Sequence, residues 1–399
     1  MNKNIKLAVA GAVLALSASA ANAGIIIPAG DWTLDVNGNV NAYVSTTSAD
    51  DNNTVTGGVA TKRSAYGSSN QKSIGTGLLP AWLGFTGKTR QNDLDVEFTI
   101  SLQPGVSAND VSGDGAFAAG GDKMLNRQTY VSFGDKSWGS IKLGKDLGVF
   151  ASDAILNDMT LLGVGSGAAL SGSSANTTNG GIGTGYLYAA WKGQVAYTTP
   201  NMNGFQATVA IVNPNQGIDS VTSQSRFGLE GKASYSFSAN DVTGKVWVSG
   251  LSNRVTAAGT NTEYTADVYD IGANVNVAGF GLTGYYYNGD GVGTTLVHSN
   301  GYSASYGKRE SDGGYVQATY ILPTKTKLGV AYGISNLDLG RSGDATSLVS
   351  ENERYTVGAY HPLTKHLNLV AEYNNIKSKS HAGLENESQT GSLGAILFF

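Results

Sequence analysis

Residues 94–103 read Leu-Asp-Val-Glu-Phe-Thr-Ile-Ser-Leu-Gln, in which Leu94, Val96, Phe98, Ile100 and Leu102 alternate without a break with Asp95, Glu97, Thr99, Ser101 and Gln103. A period of two puts the apolar side chains on one face of a β-strand and the polar ones on the other. Segments of the same kind recur from about residue 32 to the terminal Phe399. Leu328, Val330, Tyr332 and Ile334 alternate with Gly329, Ala331, Gly333 and Ser335, and Phe205, Ala207, Val209 and Ile211 with Gln206, Thr208 and Ala210. Alternation alone fits a water-soluble sandwich as well as a barrel with apolar side chains outward and polar ones inward. The rest of the chain decides between them.

The chain opens with Lys3 and Lys6, an apolar run over residues 7–16, and Ala21-Asn22-Ala23 before Gly24. Charged start, short apolar centre and small-x-small end make residues 1–23 a cleaved export signal, with 24–399 the mature domain. Loss of Lys3 and Lys6 moves the formal charge from -4 to -6, which excludes a broad basic surface for nucleic acid. The sequence has no cysteine, so export brings no disulfide framework. Beyond the signal no run approaches the ~18 apolar residues of a membrane helix. Fifty-five glycines, seven prolines and twenty tyrosines suit a strand-rich chain with many turns and an aromatic interface girdle.

Strand and turn signals place sixteen strands at 32–47, 81–90, 93–103, 127–135, 138–147, 188–200, 204–213, 225–238, 241–255, 264–278, 280–290, 309–322, 326–338, 352–362, 366–379 and 388–399. Seven tight connections alternate with long polar stretches near 48–80, 104–126, 148–187, 214–224, 256–263, 291–308, 339–351 and 380–387. The expectation is an all-β, 16-stranded antiparallel transmembrane β-barrel without a domain boundary, with short turns and both termini periplasmic and long loops outside.

At motif level, residues 127–145 (RQTYVSFGDKSWGSIKLGK), their continuation DLGVFASDAILNDMTLLG over 146–163, Tyr197-Thr198-Thr199-Pro200 before Gly204-Phe205, and the final Phe399 resemble the general diffusion porins of Gram-negative outer membranes. That resemblance implies a homotrimer in the outer membrane, in contact with lipid and lipopolysaccharide, passing ions and small hydrophilic solutes. It also implies a long third loop, 148–187, folded into the lumen as the constriction, where loop acids face wall bases and set weak charge selectivity.

By position, Asp158 matches the family's loop aspartate and Arg127 one arginine of the wall cluster, with Lys192 and Asp153 the other candidates at the constriction. A solvated loop acid and a rim charge are the plainer readings of Asp158 and Arg127. Departures from the pattern accompany the matches: Leu162 stands where a second loop acid is common, Trp82 where a second wall arginine is common, and Asn39 where a first-strand lysine is common. Trp82 also suits an interface girdle. Lys245 shares a strand face with Trp247, and Lys142 lies between Ile141 and Leu143, so both point inward with Asp95, Glu97, Trp82 and Asn39 as pore-lining candidates.

Nothing in the sequence calls for a catalytic site, a metal or a cofactor. His298, His361, His366 and His381 fall in loops or turns, outside any Ser-His-Asp or metal-ligand spacing. Gly163-x-Gly165-x-Gly167 lacks the strand-to-helix setting of a phosphate loop and lets a loop bend. Asp50-Asp51-Asn52-Asn53 reads as solvated loop in preference to a cation site. The rival readings are a substrate-selective channel, which calls for an aromatic ladder that cannot be placed here, an outer-membrane barrel enzyme, and a secreted β-rich adhesin.

Overall fold

In the computed structural model, residues 24–63, 69–106, 124–165, 191–214, 225–257, 262–294 and 298–399 are described below. The export signal and much of the 104–126 and 148–187 stretches lie outside them. Sixteen barrel strands are present among the described residues: β1 Trp32–Ala49, β2 Trp82–Gln91, β3 Leu94–Leu102, β4 Thr129–Asp135, β5 Gly139–Leu147, β6 Trp191–Thr198, β7 Phe205–Val212 and β8 Gly228–Ala239. The second half comprises β9 Val242–Thr256, β10 Glu263–Val277, β11 Phe280–Asp290, β12 Glu310–Ile321, β13 Lys327–Leu337, β14 Val349–Pro362, β15 Leu367–Ser380 and β16 Glu385–Phe398.

Each strand pairs antiparallel with the next, and β16 closes on β1 in the register Val40↔Leu397 to Ala49↔Ser388. Closure removes the sheet edges that lipid would leave unsatisfied. The 18-residue β1 outruns its neighbours, and two short strands not anticipated from the sequence complete its pairing. Ile25–Ala29 continues below the end of β16, and Asn70–Gly75 continues above the start of β2. Gly38 and Phe399 exchange backbone hydrogen bonds of 2.7 and 3.0 Å, which ties the last residue into this seam.

The alternation separates the two faces as expected. Val330 is 54% exposed and its neighbour Ala331 8%; Val44, Val209, Leu282, Val357 and Leu393 are likewise exposed on the outer face. Inside the closing seam, Ser45 bonds Ser392 and Thr47 bonds Thr390, each at 2.8 Å, so the inward side of the same strands is polar. The expected fold class therefore holds.

The start of β1, the end of β16 and the seven short turns share one end of the barrel, by strand order. Tight two-residue turns need positive φ, which Asn92 and Asp93 adopt at 47° and 62°, and Ala278 and Gly279 at 49° and 85°. At the other end the connections are longer, with one correction. The last of them, expected over 380–387, is only the four-residue turn between Ser380 and Glu385, because β15 and β16 extend further up.

Several long connections are tied down. Arg309 donates Nε and Nη2 to Asp344 at 2.7 and 2.8 Å, joining the connections before β12 and β14. These bonds hold the Asp344 carboxyl well below its ordinary range. His361 Nδ1 meets Thr326 Oγ1 at 2.9 Å and His381 Nε2 meets the Leu337 carbonyl at 2.8 Å, both structural roles. Asn53 bonds Glu385 and Asn386, so the Asp50–Asn53 stretch docks on β16.

His298 is buried between Asn253 and the Gly291 carbonyl, and burial pushes its imidazole down to about 4. An unfolded or released loop protonates near 6.5. Protons therefore favour the released loop, and its stability is full above about pH 6.5 and falls as pH drops toward 4, by up to about 3 kcal/mol. The protection factors of amides over 298–309, exchange rates taken relative to the intrinsic rate at each pH, are expected to fall between pH 7.5 and 4.5, and a His298→Phe variant is expected to lose that dependence. Equal pH dependence in the two proteins would remove His298 as its source.

Candidate functional site

Beyond β5 the chain turns back along the inward face of the sheet. Glu230 on β8 accepts the Val149 and Phe150 N–H groups at 2.6 and 2.9 Å. Ser249 on β9 accepts from the Ala151 N–H at 2.9 Å. Helix α1, Ser152–Asn157, follows, and Tyr315 on β12 donates to the Ala154 carbonyl at 2.6 Å. Gln317 on β12 donates to the Asn157 carbonyl at 2.7 Å and accepts from the Met159 N–H at 2.8 Å. A 3₁₀ turn, Met159–Leu162, comes next, and the Tyr43 hydroxyl on β1 donates to the Leu162 carbonyl at 2.6 Å. Finally Glu372 on β15 accepts the Val164 N–H at 2.7 Å.

Every one of these wall residues alternates with an exposed apolar neighbour: Glu230 with Leu229, Ser249 with Val248, Gln317 with Val316, Tyr43 with Val44, Glu372 with Tyr373. Residues 149–164 are thus suspended from the polar face of the sheet, from β8 round to β1. Such bonds give a loop the backbone partners that secondary structure would otherwise supply. Close approach at the far end requires glycine. A Cβ on Gly163 would lie 2.0 Å from Glu372 Cδ, and one on Gly77 would lie 2.3 Å from the Gly163 carbonyl oxygen. That accounts for Gly163 in the glycine cluster; Gly167 lies outside the described residues.

Beneath α1 the inward face of β9–β12 also carries large apolar side chains between its polar ones. Trp247, Leu251, Tyr264, Val268, Tyr285, Tyr287 and Tyr315 pack with Phe150, Ile155 and Leu161 into one buried cluster. This is an aromatic row that the sequence did not reveal. It is covered by the segment and serves as its bed, so it offers no open ladder to a solute.

The charges hold the segment too. Asp153 pairs with Lys232 at 2.9 Å and with Lys245. Burial works to raise the Asp153 pKa, but the two ammoniums outweigh it and the carboxyl sits below its ordinary value. Lys192 pairs with Glu230, both side chains almost fully buried. Asp158 caps the 3₁₀ turn, accepting the Thr160 N–H at 2.9 Å and its hydroxyl at 2.7 Å, and faces Arg354 on β14 at 3.9 Å. Arg354 was not singled out in the sequence, although it shares parity with Asn352 and Thr356 and opposes the exposed Tyr355 and Val357.

Arg127 lies on another part of the wall. It stands just before β4, eight strands from β12 in a sixteen-strand ring, with its guanidinium 5.7 Å from the Trp191 ring centroid. Trp82 packs on Trp191 at 6.0 Å on the inward side, which replaces the girdle reading. Asn39 is withdrawn from the lining: its amide donates to the Pro80 carbonyl at 3.1 Å and its oxygen accepts from Asn41 at 2.7 Å, fixing residues 77–80 against β1. Lys192 and Asp153 are each engaged in a buried ion pair: Lys192 with Glu230, strand to strand within the wall, and Asp153 with Lys232, from the segment to the wall.

Lys142 faces inward and pairs with Asp146, which Gln128 also contacts at 2.7 Å. Lys245 reaches Asp153 on the suspended segment. Asp95 and Glu97 occupy the inward face near the short turns, where Arg90 meets Asp95 at 2.7 Å and Lys88 meets Glu97 at 3.5 Å. Positive and negative side chains are interspersed along the inner wall, so no single sign dominates it.

The family model described as Gram-negative porin matches residues 9–381. No curated protein matches the chain in sequence. Among solved structures, the outer membrane channel DcaP of Acinetobacter baumannii superposes with a TM-score of 0.70 at 17% identity, over 94% of this chain and all of that one. The anion-selective porin from Comamonas acidovorans gives 0.61 at 16% identity, over 92% of this chain and all of that one. OmpF of Salmonella typhi, in complex with daunomycin, gives 0.61 at 16% identity, over 94% of this chain and all of that one. At these identities the solved structures establish the fold alone.

Proposed function

The chain belongs to the Gram-negative porin family, and on that premise we propose that it passes ions and small hydrophilic solutes by passive diffusion, filtered by size and weakly by charge where residues 149–164 narrow the lumen. The observation that carries this reading is the suspension of that segment from inward-facing side chains on β8, β9, β12, β15 and β1. A chain held across an aqueous interior limits cross-section without closing it. Family and fold support an outer-membrane channel over an enzyme.

Residues 1–23 act as the export signal, residues 24–399 form the one barrel domain, and the short-turn end with both termini faces the periplasm. The exposed apolar belt of Val44, Val209, Leu282, Val330 and Leu393 meets lipid, lipopolysaccharide or neighbouring copies in a homotrimer. Interspersed wall charges support weak selectivity over strong preference.

In this reading Asp158 sets the local sign jointly with Arg354, and Arg127 supplies positive charge from across the lumen. Asp158→Ala leaves Arg354 uncompensated and is expected to shift the reversal potential in a salt gradient toward anion preference. One charge removed at ~8 Å in water is worth about 0.5 kcal/mol, or roughly a twofold change in permeability ratio. An unchanged reversal potential would take Asp158 out of the constriction. Arg127→Ala is expected to move it the opposite way.

A further inference from the structure

The strand Ile25–Ala29 begins one residue after Gly24 and pairs antiparallel with the start of β1, Ile25 opposite Val36 and Ile26 opposite Asp35. Asp35 Oδ1 is buried and has no hydrogen-bond partner among the described residues. A Cβ built on Gly24 would lie 2.1 Å from that same oxygen, 3.0 Å from the carboxyl carbon and 3.3 Å from Oδ2, and these are the three atoms nearest to it. The Asp35 carboxylate thus rests against the Gly24 α-carbon. The bases closest in register are taken: Lys88 on β2, opposite Thr33, meets Glu97 at 3.5 Å, and Arg90 meets Asp95 and Asp135 at 2.7 and 2.9 Å.

A buried carboxylate oxygen without a donor calls for one. While Ala23 is attached, the Gly24 nitrogen is a neutral amide. Hydrolysis of the Ala23–Gly24 bond adds one water, leaves a carboxylate on Ala23 and frees an amine on Gly24 that takes up a proton near neutral pH. Resting on the export-signal reading above, we propose that Asp35 is the acceptor for the α-ammonium that signal removal creates on Gly24, a latch that fastens the N-terminal strand to the barrel only in the mature chain. An ammonium carries three donors, and a free terminus turns about its own α-carbon bonds, so the new group reaches an oxygen already in contact with that α-carbon. Bonds of this kind, with both partners charged, are the strong ones. The other carboxylate at this seam is the chain terminus at Phe399, whose backbone pairs with Gly38, and the adjoining turn brings His366, whose carbonyl accepts the Phe398 N–H.

The test uses the mature protein purified from membranes. Intact-mass measurement first reads its N-terminus, and a chain that starts anywhere but Gly24 overturns the cleavage boundary and the latch together. Reductive methylation with ¹³C-formaldehyde, followed across the pH range, then titrates the Gly24 amine. Its midpoint is expected at least one unit above the ordinary value of about 7.7–8.0, because an opposite charge at hydrogen-bond distance favours the protonated form. Asp35→Asn is expected to return the midpoint to that value, so that labelling at neutral pH becomes about tenfold faster. An ordinary midpoint in the wild type overturns the latch even if the variant does not assemble. A raised midpoint that persists in Asp35→Asn also overturns it and assigns the amine to the Phe399 carboxylate. Either of these last two results leaves the cleavage boundary standing.

Discussion

Val357→Arg is expected to lower barrel stability by about 2–4 kcal/mol, because it places a guanidinium near mid-height on the outer face, where only lipid surrounds it. Val357 is 56% exposed, sits in register with Val330 and Tyr373, and lies midway along β14. In a water-soluble β protein, a charge at such an exposed position changes stability by no more than about 0.5 kcal/mol. Glu353→Arg supplies the depth control. Glu353 is on the same outer face four residues nearer the long loops, bonded to Tyr332 at 2.7 Å. Its replacement is expected to cost only about 0–1 kcal/mol, as charges near the interface do. Denaturant unfolding in lipid vesicles, followed by heat-dependent gel mobility, measures both. Equal costs would contradict a lipid-facing belt.

Glu230→Ala carries the second large effect, because Glu230 does two things at the root of the suspended segment. It neutralises the buried Lys192 and accepts the N–H groups of Val149 and Phe150. Removing one partner of a buried ion pair is expected to cost about 3–5 kcal/mol. With its root unfastened, the segment is expected to leave the wall, raising single-channel conductance and broadening the open-current noise. Adding Lys192→Met separates the two roles. An apolar replacement of the whole pair is expected to restore stability to within about 1 kcal/mol, while conductance stays raised because the two N–H groups still lack their acceptor. If conductance returned to the wild-type value with stability, Glu230 would hold the barrel wall and not the segment.

The contrast between these two residues marks what the sequence could tell. Val357 was legible because period-two alternation is local. Each strand reports its own phase, and no boundary among the sixteen is displaced by more than three residues. The extra strands at Ile25–Ala29 and Asn70–Gly75 were missed because they exist only to satisfy the overhang of β1, a fact of register and not of composition. Arg354 was within reach of the same parity argument.

Glu230 was not legible in its role. Its inward direction follows from parity, but its bond to a segment some eighty positions away is fixed by tertiary contact alone. Lys192 and Asp153 were recognised as inward or loop charges, yet the partners that engage them, Glu230 and Lys232, carry no sequence signal of that pairing. Asn39 was expected in the lining from the family's first-strand position, and the return of residues 77–80 onto β1 covers it. The aromatic bed escaped notice because Tyr285, Tyr286 and Tyr287 are consecutive, so aromatic character alone does not distinguish inside from outside. Only burial separates the exposed Tyr286 from its two inward neighbours.

An open aqueous passage through a lipid-facing barrel, as proposed above with residues 149–164 narrowing it, requires conduction without a ligand. Reconstitution of the purified protein in a planar bilayer under a salt gradient tests it most directly. Ohmic current steps are expected in the absence of any ligand, grouped in threes for a trimer, with a reversal potential close to zero. A bilayer that stays silent, or conducts only when a specific ligand is added, would contradict it.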